Sequence, residues 1–254
     1  MKKLIIANWK MNPTRGIDAR KLFKSVNTVA SKLKNVETVI CPPLVYLESL
    51  GELVTNRACV LGSQDAFWEH AGPFTGQVSA DMIFGTKARY VIVGHSELRA
   101  LGETDTMINK KIKSILQFPL IPVVCVGEVS RDEDHQFVKL VKNQIKLALA
   151  NLTNEEVSRV VIAYEPIWAI SSTKNAKHCT PADCREMVQV IKATLADSVN
   201  PEIAKQIPIL YGGSVNSESV ESYLEEGLVD GGLVGHASLD AKEFIKILKI
   251  AEKL

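Results

Sequence analysis

The chain has 254 residues, 46% hydrophobic and 23% charged, with 30 basic against 29 acidic side chains and a formal charge of +1. That length suits one large domain, read as a single domain over 1–254, and the composition can bury a sizeable core. Nothing in that charge balance suggests a nucleic-acid groove or a membrane surface, and a small anionic substrate would need only a local positive site.

The N-terminal Met1-Lys2-Lys3 precedes an apolar run, as in a leader, but the run breaks at Asn8 and Lys10, too soon for a signal peptide. Apolar, strand-like runs then recur at 4–8, 38–41, 60–64, 90–93, 122–126, 160–164, 208–211 and 231–234. Most are continuous in Val, Ile and Leu rather than alternating, the pattern of strands covered on both faces. Between them run stripes at helical spacing: Leu22, Phe23, Val26, Val29, Ala30 and Leu33; Cys184, Met187, Val188, Ile191 and Leu195; Phe244, Ile245 and Leu248. Thr180-Pro181-Ala182-Asp183 carries a cap, a proline at the first helical position and a first-turn acid, and Asp240 with Glu243 reads as a capping box.

Eight strand–helix alternations give the α/β class and a (β/α)8 barrel with a parallel eight-stranded core; an open doubly wound sheet would read similarly. Five cysteines (41, 59, 125, 179 and 184) without CxxC pairing point to free thiols, with no zinc site and no disulfide framework. No apolar stretch is long enough to span a bilayer, and a cytosolic enzyme is the expectation.

Active-site groups of such barrels sit at the C-terminal ends of strands. The polar residues there are Asn8 and Lys10, Gln64 and Asp65, His95 to Glu97, Glu128, Glu165, Gly212-Gly213-Ser214, and Gly235-His236. A carboxylate, an imidazole, an ammonium and two glycine turns suit proton abstraction beside a carbonyl in a phosphorylated substrate. Each has a plainer reading. Glu165 could pair with a lysine, His95 could cap the next helix, Lys10 could be a solvated charge, and the Gly-Gly pair could be a tight turn. Their joint placement shifts the balance towards function.

At these positions the sequence resembles the triosephosphate isomerase family. The segments are Ala7-Asn8-Trp9-Lys10-Met11-Asn12, Gly94-His95-Ser96-Glu97, Ala163-Tyr164-Glu165-Pro166-Ile167-Trp168-Ala169-Ile170, Tyr211-Gly212-Gly213-Ser214-Val215 and Leu233-Val234-Gly235. They keep the family's order over essentially the whole chain. The resemblance implies a TIM barrel that interconverts dihydroxyacetone phosphate and D-glyceraldehyde 3-phosphate through an enediolate, in glycolysis and gluconeogenesis. It implies Glu165 as base, neutral His95 as electrophile and proton shuttle, Lys10 as charge stabiliser, Asn8 as substrate orienter, and Glu97 in the surrounding polar network. Phosphate is then expected on backbone N–H groups of Ser171, Ser214, Gly235 and His236, with no metal and no organic cofactor.

Four departures stand out. Ser171-Ser172-Thr173-Lys174 replaces a glycine-rich lid, and the connection at 177–180 is longer than usual. His236 stands where glycine is common, with an outward side chain expected. Leu98 and Gln77 replace an arginine and a glutamate, which fits loss of an ion pair between subunits. The segment 65–79, with Phe67, Trp68 and Phe74, is long enough to be functional, and its plainer reading is a cover folded over its own barrel. The resemblance implies instead a loop that inserts into a second subunit, with Thr75 reaching towards the neighbour's catalytic residues, and so a homodimer, with tetramers a further option. Two rival readings accompany this one: another phosphosugar isomerase or lyase on the same barrel, and a barrel that has lost turnover and binds a phosphorylated ligand.

Overall fold

A computed structural model describes residues 2–54, 59–170 and 177–254. In chain order its elements are β1 (Lys3–Asn8), α1 (Gly16–Ala30), β2 (Val36–Cys41), α2 (Leu44–Gly51), β3 (Cys59–Ser63), α3 (Ala80–Gly85), β4 (Ala88–Val93), α4 (Ser96–Ala100) and α5 (Asp105–Leu116). They continue with β5 (Ile121–Val126), α6 (Gln136–Ala148), α7 (Asn154–Val157), β6 (Val161–Tyr164), α8 (Pro181–Ser198), α9 (Pro201–Ala204), β7 (Ile209–Tyr211), α10 (Val220–Glu225), β8 (Gly231–Val234) and α11 (Ala241–Ala251).

The eight strands are all parallel and close in sequence order. The seam is β1 on β8, where Leu4, Ile5, Ile6 and Ala7 face Gly231, Gly232, Leu233 and Val234. Closure decides against the open sheet. Every strand end falls within two residues of its sequence-derived position, and Gln64 lies just past β3.

Strand side chains alternate between two cores. Inside the barrel lie Leu4, Ile6, Val39, Cys41, Tyr90, Ile92, Val123, Cys125, Val161, Ala163, Leu210 and Leu233. The intervening residues, such as Ile5, Ala7, Ile40, Val91, Val124, Ile162 and Ile209, join the helices in the larger outer core. Both faces are apolar because both are covered, which is why the strands read as continuous runs.

The helical stripes seat that outer layer. Phe23, Val26 and Ala30 of α1 are buried, and so are all five apolar residues of the α8 stripe. In α11 the stripe shifts by one position. Phe244, Ile247, Leu248 and Ala251 are buried, whereas Ile245 is only half-buried. The 3.6-residue repeat selects Ile247 over its neighbour. Burying Phe244 completely contributes about 1.5–3 kcal/mol.

Caps divide differently. Thr180 and Asp183 form the full reciprocal box at the start of α8. Asp240 caps α11 by accepting from the Lys242 and Glu243 amides, but Glu243 does not return the bond; its Oε1 accepts from the Ser217 amide at 2.7 Å. A distant backbone donor has captured the carboxylate that spacing assigned to the box.

Candidate active site

Strand parity delivers the first group. Leu4 and Ile6 face the barrel interior, and Asn8 continues that series at the C-terminal rim, 6% exposed. Its Oδ1 accepts the Lys10 amide at 3.0 Å, while the Lys10 carbonyl accepts from Gln64 Nε2 at 2.8 Å. These bonds hold Lys10 in the left-handed region, φ 52°, which costs a non-glycine residue energy and persists only where the surroundings enforce it. The side chain then extends to Glu97, with Nζ to Oε1 at 2.7 Å.

His95 arrives through a glycine. Gly94 has φ 71°, and a Cβ there would stand 2.8 Å from Ile108 Cδ1. The turn this permits sets His95 as the residue capping α4, where its Nδ1 accepts the Glu97 amide at 3.2 Å. The capping reading is therefore correct. With Nδ1 accepting this bond, Nε2 is the ring nitrogen left to donate into the barrel mouth.

Glu165 continues the inward series of Val161 and Ala163 beyond β6 and is 2% exposed. Its amide donates to Val126 O at 2.8 Å, which ties it to the end of β5. One carboxylate oxygen, Oε1, lies 3.1 Å from His95 Nε2, and the other accepts the Ser96 amide at 3.0 Å. Among the described residues, Glu165 pairs with an imidazole and a backbone amide and with no lysine. Gly212 leaves the space behind it, since a Cβ there would meet Glu165 Cγ at 2.8 Å.

Asn8, Lys10, His95, Glu165, Ile170, Gly212, Gly213, Leu233 and Gly235 line one small cavity of about 20 Å³ at the C-terminal rim. A far larger cavity, about 900 Å³, opens around Lys2, Glu37, Tyr90 and Arg159 at the opposite end and shares no residue with this cluster. Convergent chemistry, rather than size, marks the site.

The phosphate-binding candidates divide. Gly235 lines the cavity, His236 opens a short 3-10 turn (His236–Leu239) and is exposed, and Ser214 is exposed with its hydroxyl donating to Ala169 O at 2.9 Å. Ser171, with the remainder of the lid segment, lies outside the described residues. Glu97 is half-exposed beside Lys10 and His95.

Several supports had no role assigned to them from sequence. Gln64 bonds both Lys10 O and Cys41 O. Ser96 holds Glu165 through its backbone. Arg99 donates to Gly94 O at 2.7 Å and to Cys125 O at 3.1 Å, bracing the turn before His95. Gln64 stood among the strand-end polar residues; backbone donors and a helix arginine carry no such mark.

Comparison with known proteins agrees with this geometry. The family model described as triosephosphate isomerase matches residues 3–251. The chain belongs to the triosephosphate isomerase family. It is 40% identical over 251 residues to the triosephosphate isomerase of Caldanaerobacter subterraneus subsp. tengcongensis, covering 98% of this chain and 99% of that one. Similar matches are the triosephosphate isomerases of Roseiflexus sp. (strain RS-1), 39% over 247 residues and 96% of each chain, and of Endomicrobium trichonymphae, 39% over 253 residues and 99% of each. As a member of this family the chain is an isomerase acting on triose phosphates. With carboxylate and imidazole in contact, nothing in the site favours a barrel that has lost its chemistry.

Proposed function

We propose that Glu165, His95, Lys10 and Asn8 divide the interconversion of dihydroxyacetone phosphate and D-glyceraldehyde 3-phosphate among them. In this family a carboxylate base works beside a neutral imidazole. The observation that carries the reading is the pair of contacts on the His95 ring: Nδ1 accepts the Glu97 amide, which leaves Nε2, 3.1 Å from Glu165 Oε1, to donate into the site.

Glu165 takes a proton from the substrate carbon next to the carbonyl, leaving an enediolate. His95 Nε2–H donates to the developing oxyanion, and protons move between the two oxygens through the ring. Glu165 then returns a proton to the neighbouring carbon. Lys10 supplies positive charge to the enediolate and phosphate, Asn8 orients the substrate, and Glu97 holds the Lys10 ammonium in place. The backbone N–H groups of Ser214, Gly235 and His236, with Ser171 from the lid, take the phosphate. Turnover of glyceraldehyde 3-phosphate, compared with a Glu165→Gln variant, tests this reading.

The assembly is read as a homodimer through the 65–79 loop. Phe74 and Thr75 at its tip are exposed, and so are the apolar Met11, Val45, Met82 and Leu101. The exposed Gln77 and half-buried Leu98 leave no ion pair between those two positions. A reducing, cytoplasmic setting is supported by five cysteines that are all free and buried. Among the described residues, no helix is long and apolar enough to cross a membrane.

A further inference from the structure

Behind Glu165 lies a second carboxylate, Glu128, fully buried just past β5. Its Oε1 gathers three donors: Trp168 Nε1 at 2.8 Å, Tyr164 Oη at 2.9 Å and Arg131 Nε at 3.3 Å. Its Oε2 is buried with no hydrogen-bond partner among the described residues, and its backbone carbonyl accepts the Ile167 amide at 3.0 Å. Glu128 thus holds residues on both sides of Glu165: Tyr164 before it, Ile167 and Trp168 after it. A buried charge in that position persists only if something compensates it. Among the described residues, its one ion pair is with Arg131.

Arg131 is placed for more than this contact. Its Nη1 reaches Asp183 at 3.1 Å and Glu186 at 2.9 Å, and its Nη2 donates to Asp183 O at 3.0 Å. Its guanidinium lies 5.3 Å from the Trp168 ring and 5.1 Å from the Phe137 ring. One side chain therefore joins the end of β6, the turn carrying Trp168 and the first turns of α8.

We propose that Arg131 is a positioning residue for the isomerase reaction: it compensates the buried charge of Glu128, so that Glu128 can hold Tyr164 and Trp168 and with them the backbone that presents Glu165. Arg131 touches no reacting atom. This inference rests on Glu165 being the base, and its test separates the two claims.

The full chain is measured as wild type, Arg131→Met, Glu128→Gln and the double variant, each checked for fold by circular dichroism. Arg131→Met is expected to lower kcat about 100-fold with KM little changed, the cost of a misplaced base. Arg131→Met/Glu128→Gln, with no stranded charge, is expected to regain kcat to within about tenfold of wild type. Where Arg131→Met does not fold, the comparison is made in the Glu128→Gln background, where removing the arginine is expected to change kcat little. A nuclear magnetic resonance spectrum of the Trp168 indole N–H reads the same contact without turnover, and its resonance is expected to move in Arg131→Met. The proposal is overturned if Arg131→Met keeps wild-type kcat, if the double variant is no faster than the single one, or if the Trp168 resonance stays in place. Absence of wild-type turnover would count against the role given to Glu165, while the indole resonance would still decide the role of Arg131.

Discussion

His95 Nε2 and Glu165 Oε1 stand 3.1 Å apart, and the Glu97 amide on Nδ1 of the same ring fixes which nitrogen holds the proton. The ring thus offers one donor, aimed at Glu165, the proposed base, and at whatever oxygen replaces it when substrate enters. Replacing His95 with Gln keeps a donor of different reach and removes the proton shuttle. Its kcat should fall about 10²–10³-fold, as when one oxyanion donor is lost, measured by steady-state turnover.

The Ser96 amide is the other hold on Glu165, and it can be deleted alone. Ser96 is the first residue of α4, where proline is tolerated, and His95 before it has φ −55° and ψ 141°, a conformation open to a residue preceding proline. Ser96→Pro should therefore fold normally while kcat falls about tenfold, the worth of one charge-assisted hydrogen bond. Unchanged kcat would show that this bond does not orient the base.

Gly212→Ala tests the space behind the base. The added methyl would lie 2.8 Å from Glu165 Cγ and 3.2 Å from Tyr164 O, so the carboxylate or its strand must shift. A displacement near 1 Å costs about 100-fold in rate. Overpacking should also cost about 1–3 kcal/mol, read as a lower Tm.

The cap of α8 makes stability depend on pH. Burial alone would raise the Asp183 carboxyl, but hydrogen bonds from the Thr180 hydroxyl and amide, with the Arg131 charge, outweigh it and hold it below its ordinary 3.8. A carboxylate lowered on folding stabilises the protein above its unfolded value, and that contribution disappears as pH falls through the lower, folded value. Thr180→Ala should cost about 1 kcal/mol at neutral pH. The variant should also lose less Tm than wild type between about pH 7 and about pH 3. Equal acid losses in the two proteins would contradict the account.

The proposed dimer yields to a charge at the loop tip. Thr75 is exposed in the isolated chain, so Thr75→Arg should leave the barrel folded while light scattering shows the mass fall from two chains to one. A chain that remains dimeric with arginine there would move the interface elsewhere.

Much of this architecture was legible from residue order because barrel strands are buried on both faces. Continuous apolar runs locate them, and whatever polar group follows each run lies at one rim. Asn8, Lys10, His95 and Glu165 follow such runs, and they line one cavity at that rim. Contacts between distant segments were not. The Glu243 carboxylate went to Ser217 instead of its own cap, and the stripe of α11 ran through Ile247 where Ile245 had been read. Neither local spacing nor residue type could reveal that the Ser96 amide meets Glu165, or that Arg131 compensates Glu128, because these pairings exist only once the barrel closes.

The most direct test of the central claim is turnover of glyceraldehyde 3-phosphate to dihydroxyacetone phosphate, coupled to a reporter dehydrogenase, in wild type and Glu165→Gln. The substitution preserves shape and removes the base. Robust wild-type turnover that drops about 10²–10⁴-fold in the variant is the predicted result. Equal rates in the two proteins would contradict the assignment of Glu165 as the group that moves the proton.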